Sequence, residues 1–288
     1  VYVFFGKTGV LAFDLDGKQL WQTSVGTDAD QKCWGAAASP ALHKNLLFVN
    51  AWDESKALYA LDTQTGREIW KRDASETGLS FCTPVVTGRG EGGAELVAVV
   101  PSQVWGLDPE TGRQLWFART GINDDRIPTP VVLDGVAYVH GGGPRQNGSL
   151  AVRTGGDGDV TDTHVVWSGK NVTSPPSPVV VDGLMYWADG YGRACCADAR
   201  TGELRYSEKL PITQRFAIYG SMVAAEGRLY VVTRKDGTFV LPAKPQYEII
   251  AHNQFASDDS DFNASAAVSN KCLFLRSNRF LYCVRQER

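Results

Sequence analysis

The side chains best equipped for chemistry are six cysteines, four histidines and two short acidic runs, and their spacing decides which reactions they can support. Cys195 and Cys196 are adjacent, as a vicinal disulfide requires, but they fall in a segment that reads as a strand. Neighbouring strand residues point to opposite faces. The expectation is therefore two packing residues, with Cys196 in a small-residue slot that Cys283 occupies in the last unit. Cys33, Cys82 and Cys272 show no metal-like spacing, and no Cys-x-x-Cys occurs. His43, His140, His164 and His252 are scattered and join no nucleophile or zinc motif, so surface or strand-end roles are expected. No Gly-x-Ser-x-Gly elbow or phosphate loop is present, and the chain does not advertise hydrolysis or phosphoryl transfer.

The run Asp157-Gly158-Asp159-Val160-Thr161-Asp162 begins like a calcium loop. Such a loop needs Gly at its sixth position and a bidentate Glu at its twelfth. Here those places hold Asp162 and Ser168, and a solvated turn is expected instead. Asp258-Asp259-Ser260-Asp261 reads as an exposed acidic loop. No catalytic residue and no metal ligand set is assigned.

The elements that carry these residues are repeats. Ala60-Leu61-Asp62-Thr63-Gln64-Thr65-Gly66-Arg67-Glu68-Ile69-Trp70 has close copies ending at Trp21 and Trp116, and a weaker one ending at Tyr206. Each joins an apolar strand to a second strand through Asp-x-x-Thr-Gly or a one-residue-shorter form. There Asp bonds nearby backbone N–H groups and Gly supplies a positive φ. Upstream lies a second hairpin, as in Thr129-Pro130-Val131-Val132-Leu133-Asp134-Gly135-Val136 and Ser177-Pro178-Val179-Val180-Val181-Asp182-Gly183-Leu184. Asp-Gly between β-branched runs is a two-residue turn. One unit is thus four antiparallel strands.

The aromatic positions Trp21, Trp70, Trp116, Trp167 and Tyr206 recur at roughly 40–50 residues, the period of propeller blades. A single small sheet cannot bury both faces, so blades must stack radially. Trp21, Trp70, Trp116 and Tyr206 are expected to fill the space between neighbouring blades.

On these residues the chain resembles the pyrroloquinoline-quinone-type (PQQ-like) repeat family, whose tryptophan-docking motif reads Ala-x-Asp-x-x-Thr-Gly-x-x-x-Trp. Residues 60–70 match every fixed position, and the resemblance spans essentially the whole chain. It implies an all-β propeller of four-stranded antiparallel blades. It also implies one of two activities, since the family holds quinoprotein dehydrogenases and non-catalytic propellers similar to the outer-membrane assembly lipoprotein. Later units depart from the motif: Gly148 to Trp167 carries an enlarged turn, Gly237 to Ile250 has Pro242 and Pro245 in its place, and Phe280 to Arg285 stops short.

Counting units places strands two to four in residues 1–26 and full blades near 37–73, 82–119, 128–168, 176–208 and 220–252. Strands one to three of a further blade lie near 264–285. About seven units are traceable in a single domain, residues 1–288. Because the incomplete first and last units do not complement each other, an eight-bladed longer parent is expected, with seven slightly irregular blades as the alternative.

Hydrophobic residues make up 43% of the chain and charged residues 21%, as in an ordinary globular domain. The formal net charge of −3 leaves no basic stripe, so nucleic acid is not an expected partner. No apolar run approaches the roughly 18 residues of a spanning helix. A monomer is expected. Periplasmic or cell-surface location follows from the resemblance alone.

Propeller physics directs attention to the segments just before each inner strand, which approach the axis with loops of one face. They hold Trp34, Phe81, Arg126, Thr173, Arg215, Tyr219 and Asn263. Two arginines among aromatics suit an anionic planar ligand; a plug of the axial channel is the plainer reading. The expected function is a non-catalytic scaffold binding a protein or small ligand at that face, with no cofactor. The alternative implied by the resemblance is a PQQ- and calcium-dependent dehydrogenase, for which no calcium ligand set is assigned.

Overall fold

The computed structural model describes residues 1–29, 34–78, 80–90, 92–123, 128–141, 148–171 and 175–285. The described residues form an all-β propeller fold with seven blades. Blade 1 comprises Tyr2–Phe4, Val10–Phe13 and Gln19–Thr23. Blade 2 comprises Ala41–His43, Leu46–Ala51, Ala57–Asp62 and Glu68–Asp73. Blade 3 comprises Val85–Arg89, Gly93–Val100, Gln103–Leu107 and Gln114–Arg119. Blade 4 comprises Val131–Leu133, Val136–His140, Ser149–Arg153 and Val165–Gly169. Blade 5 comprises Val179–Val181, Leu184–Ala188, Arg193–Asp198 and Leu204–Lys209. Blade 6 comprises Val223–Ala225, Arg228–Val232, Thr238–Pro242 and Ala251–Asn253. Blade 7 comprises Ala267–Ser269, Cys272–Arg276 and Leu281–Val284. Strand order follows chain order in every blade. The chain groups into two compact units, Val1–Val166 and Trp167–Arg288.

The hairpins form for local reasons. At the first turn of blade 4, Asp134 and Gly135 take φ of 50° and 72°, the paired left-handed conformation whose twist matches a two-residue hairpin. At the last turn of blade 2, Asp62 Oδ1 accepts hydrogen bonds from the backbone N–H of Gln64 (3.1 Å) and Thr65 (2.9 Å) and from the Thr65 hydroxyl (2.8 Å). These bonds hold the Asp62 carboxyl below its ordinary range, the Thr65 hydroxyl contributing most.

A feature not foreseen from the sequence recurs beside that turn. In blade 2 the register pairs Ala60 with Trp70 and Leu61 with Glu68, which leaves Ile69 as an extra residue on the fourth strand. The same shift leaves Leu20, Leu115 and Arg205 extra in blades 1, 3 and 5. A bulge bends the strand and re-aims the next side chain, here the terminal aromatic of each copy.

Packing follows the period of two along each middle strand. Leu46 and Phe48 of blade 2 join Leu96, Ala98 and Val100 of blade 3 in one buried cluster. The alternate residues Leu47 and Val49 face the other way and join Val10 of blade 1. In blade 3, Val97 and Val99 turn toward Ala137, Val139, Leu150 and Val152 of blade 4. The second unit repeats the scheme, with Leu229, Val231 and Phe239 of blade 6 against Tyr186 and Cys196 of blade 5. A sheet buried on both faces needs apolar residues at successive positions, and Leu46–Ala51 is buried throughout.

Candidate functional site

Three of the terminal aromatics meet the turn of the following blade. Trp21 Nε1 donates to the Thr63 carbonyl (3.0 Å) and its ring lies against Gly66; Trp70 Nε1 donates to the Pro109 carbonyl (2.8 Å) over Gly112. Within the second unit, Trp167 donates to the Ala199 carbonyl (2.8 Å) over Gly202. In each case the acceptor stands three residues before the glycine. A Cβ there would meet the indole at 2.5 to 2.7 Å, so the closeness of ring and backbone depends on glycine.

Trp116 fills the space between blades 3 and 4 as expected, but without a seat on a neighbouring turn. It is fully buried and turned onto Gly106 of its own blade, and its Nε1 donates to Glu95 Oε2 at 2.8 Å. The reason lies in blade 4, whose enlarged turn carries no Asp-x-x-Thr-Gly to receive it. That turn instead folds back and Gly158–Asp159 pairs in parallel with Trp116 and Phe117, adding a short fifth strand to blade 3. The Gly155 N–H completes the shell of Glu95 at 2.9 Å, with Arg89 Nε at 3.7 Å. Tyr206 is buried against Tyr247, ring centroids 5.7 Å apart, where blade 6 has Pro242 and Pro245 instead of the motif turn.

The segments before the first strands are tied together by hydroxyls. Ser39 N–H donates to Thr83 Oγ1 (2.9 Å), and Thr83 N–H to Thr129 Oγ1 (3.2 Å). In the second unit Ser177 N–H donates to Ser221 Oγ (2.9 Å), and Ser221 N–H to Ser265 Oγ (2.8 Å). Each bond links one blade to the next at an interval of 44 or 46 residues. The Ser or Thr at this place was legible in the repeat, but its partner was not.

This belt steadies the candidate residues. In the first unit Trp34, 58% exposed, packs against Phe81 with ring centroids 6.0 Å apart and the rings tilted at 34°. In the second, Tyr219 is 46% exposed and lies beneath the Arg234 guanidinium, 5.2 Å from its carbon. Arg234 Nε donates to Asn263 Oδ1 (3.0 Å), and Arg234 also pairs with Asp261, which Lys235 contacts at 3.0 Å. Tyr219 and Asn263 are thus brought together through an arginine that the repeat did not single out. Arg215 is exposed on the same segment as Tyr219. Beside it Phe216, 47% exposed, packs against Tyr191 at 5.0 Å with the rings tilted at 44°, while holding φ at +53°. A bulky residue in the left-handed region is uncommon and strained. Arg126 and Thr173 lie outside the described residues.

Burial explains the remaining polar groups. Cys195 and Cys196 point to opposite faces of one strand, and burial pushes their thiols up to about 12 and about 11. The described cysteines are free thiols, and Cys33 lies outside the described residues. His140 ends a strand of blade 4 in the interior, where burial lowers its pKa to about 3. His252 stacks on Phe239 at 4.1 Å, and His164 contacts the Thr163 hydroxyl. Asp157 pairs with Arg89 and Asp159 with Arg119. The run 258–261 is more embedded than a solvated acidic loop: Asp258 is nearly buried and accepts from Tyr282 (2.8 Å) and Ser260 (2.7 Å), and Asp259 pairs with Arg279. Hydrogen bonds from Ser277, Ser260 and Tyr282 hold the Asp258 carboxyl far below its usual range.

Residues 6–243 match the family model described as outer membrane protein assembly factor BamB, of the PQQ-like repeat type. The chain belongs to this family. It is 22% identical over 281 residues to the outer membrane protein assembly factor BamB of Yersinia pestis, covering 77% of this chain and 67% of that protein. Over 120 residues it is 29% identical to a 1-butanol dehydrogenase (cytochrome c) of Thauera butanivorans, covering 38% of this chain and 17% of that protein. The crystal structure of BamB from Moraxella catarrhalis superposes with a TM-score of 0.70 at 14% identity, covering 94% of this chain and 77% of that one, and so shares the fold.

Membership of a family that includes quinoproteins asks whether the residues present suit a quinone with calcium. Calcium takes six to eight oxygen ligands. Among the described residues no group of three or more His, Cys, Asp or Glu side chains is placed to hold a metal ion. In the two acidic runs Asp157, Asp159, Asp258, Asp259 and Asp261 are engaged by Arg89, Arg119, Arg234, Lys235, Arg279 and turn hydroxyls. The described donors do not fit that group.

Proposed function

We propose that this chain is a non-catalytic propeller that docks a polypeptide partner through the loops preceding its first strands, in the service of outer-membrane protein assembly. The observation that carries the reading is the Tyr219–Arg234–Asn263 cluster, flanked by Phe216 on Tyr191. Binding hot spots are enriched in tyrosine and arginine, and they work when held rigid before the partner arrives. Here the ring is half exposed, its cation is already in place, and the hydroxyl belt and the Asp261 pairs fix the loops that carry them. Tyr191 and Phe216 add exposed apolar area that a peptide side chain can cover. Trp34 on Phe81 offers the same kind of surface in the first unit. The names of the relatives support an assembly factor, and with it a periplasmic or cell-surface location.

The test is site-specific photo-crosslinking in bacterial envelopes, with the reactive group at Tyr219, at Phe216 and, as a control, at the exposed Leu15 in a blade 1 turn. Crosslinks to one envelope protein from the first two positions and none from the third are expected, and Arg234→Ala should weaken capture at least tenfold, about 1.4 kcal/mol. Equal crosslinking from Leu15 would refute the docking surface. Titration with pyrroloquinoline quinone and calcium decides the other reading. Saturable quenching of tryptophan fluorescence with dye-linked alcohol oxidation would move the chain into the dehydrogenase class.

A further inference from the structure

The last blade carries a second kind of chemistry that owes nothing to the docking surface. Its strand Cys272–Arg276 pairs antiparallel with Leu281–Val284, and the register sets Phe274 opposite Cys283 and Leu273 opposite Val284. Directly opposed residues share a face, and so do residues two apart along a strand. Cys272 therefore lies on the same face as Phe274 and diagonal to Cys283. Cys272 is the largest influence on the Cys283 thiol, whose pKa it pushes up. Cys283 is exposed and Cys272 half-buried, so both are within reach of a small oxidant.

We infer that Cys272 and Cys283 are a redox pair that closes a reversible cross-strand disulfide in blade 7. The other described cysteines cannot do this. Cys195 and Cys196 face opposite ways and are buried, and Cys82 is buried with its thiol on the Val99 carbonyl. The oxidant is a small-molecule disulfide of the glutathione class. The Cys283 thiolate attacks one of its sulfurs and expels the first small thiolate, leaving a mixed disulfide. The Cys272 thiolate then attacks the Cys283 sulfur and expels the second. Two protein thiols lose two electrons and two protons, and one disulfide becomes two thiols.

The bond would act on an edge. Among the described residues no strand pairs with the far side of Leu281–Val284. Phe280, Leu281 and Val284 are exposed along it. An open edge invites slippage and foreign pairing. A covalent tie across its inner side fixes the register and restricts fraying.

Trypsin separates the partners, since it cuts after Lys271, Arg276, Arg279 and Arg285 and releases one peptide for each cysteine. The native full chain is incubated with oxidised glutathione, blocked with a maleimide, digested without reductant and mapped by mass spectrometry. The expected product is residues 272–276 linked to 280–285, about 2 Da lighter than the sum of the free peptides. It should vanish with dithiothreitol and be absent from Cys272→Ser and Cys283→Ser, both of which keep the wild-type circular dichroism. Amide exchange in 281–284 should slow on oxidation in the wild type and be unchanged in Cys272→Ser. Glutathione remaining on Cys283 with no linked peptide, or Cys283 joined to Cys33 instead, would overturn the inference.

Discussion

Replacing Gly112 by alanine tests the central packing claim, that Trp21, Trp70 and Trp167 are each seated on the glycine of the following blade's turn. Gly112 has φ of +69°, and an added Cβ would lie 2.7, 2.8 and 3.1 Å from three carbons of the Trp70 ring. Gly135 is the control: its φ is +72°, but the nearest atom to its virtual Cβ is Thr154 Oγ1 at 3.8 Å. Both alanines incur the left-handed backbone penalty of about 1–2 kcal/mol. Only Gly112→Ala adds overpacking against a side chain that cannot retreat, about 1–3 kcal/mol more, because Trp70 is anchored by its bond to the Pro109 carbonyl and packed on Phe48. The expected loss is therefore about 2–5 kcal/mol for Gly112→Ala and about 1–2 kcal/mol for Gly135→Ala. Urea unfolding followed by tryptophan fluorescence measures both, read from the midpoint at unchanged slope. A cycle with Trp70→Leu isolates the contact, since the excess should disappear once the ring is gone, with a coupling of about 0.5–3 kcal/mol. Equal losses at the two glycines, or an excess that survives Trp70→Leu, would refute the reasoning.

Glu95→Ala strands the Trp116 indole N–H, the Gly155 N–H and the nearby Arg89 in a site with no water access to Glu95. It should cost about 3–5 kcal/mol in the same urea experiment, whereas Glu95→Gln, which keeps one acceptor, should cost about 1–3 kcal/mol. His140 has its pKa lowered from 6.5 to about 3 by burial. Its contribution to stability is therefore complete above pH 6.5 and is lost as pH falls toward 3, at about 1.4 kcal/mol per pH unit within that window. Urea midpoints at pH 7, 6 and 5 check this, and His140→Gln should flatten the dependence. Asp62 has a depressed native pKa, so its stabilisation is complete above 3.8 and is lost as pH falls through the native value. Asp62→Asn, which still accepts from the Thr65 and Gln64 N–H groups, should leave stability at pH 7 nearly unchanged and soften the loss below pH 4. A wild-type acid profile in Asp62→Asn would count against that turn as a contributor.

The candidate surface was half legible. Tyr219 and Asn263 stand at repeat positions that a propeller places before its first strands, so the period alone found them. Arg234 and Asp261 did not emerge that way. Arg234 sits at the tip of the second hairpin of blade 6, between Val232 and Thr238, where a charged residue looks like any solvated turn. Its role comes from the distance it spans, over the Tyr219 ring and onto Asn263 and Asp261, and no spacing rule encodes that reach. Phe216 was equally hidden. Its left-handed backbone adjoins Ala217, which is fixed at both backbone groups, its N–H to the Gly190 carbonyl and its carbonyl accepting from the Arg234 N–H.

The fold was legible to the level of strands because hairpin signals are local: Asp-Gly turns, Asp-x-x-Thr-Gly turns and alternating apolar runs each act over a few residues. Docking is different, because its two halves lie in different repeats. The motif at residues 106–116 matches in its own blade, and yet Trp116 has no seat, since blade 4 replaces the receiving turn with the enlarged loop. Trp167 shows the converse. Its own blade lacks the motif, but blade 5 offers Asp198 and Gly202, and Trp167 docks there with the geometry of Trp21 and Trp70. Whether an aromatic is seated on a neighbouring turn thus depends on the turn of the next copy, and Trp116 packs between blades 3 and 4 without one. A repeat chain of this kind is read correctly when each terminal Trp is paired with the following Asp-x-x-Thr-Gly rather than with the one that precedes it. Under that rule Trp21, Trp70 and Trp167 are the docking residues in the described chain, and Trp116 is free to become the buried partner of Glu95.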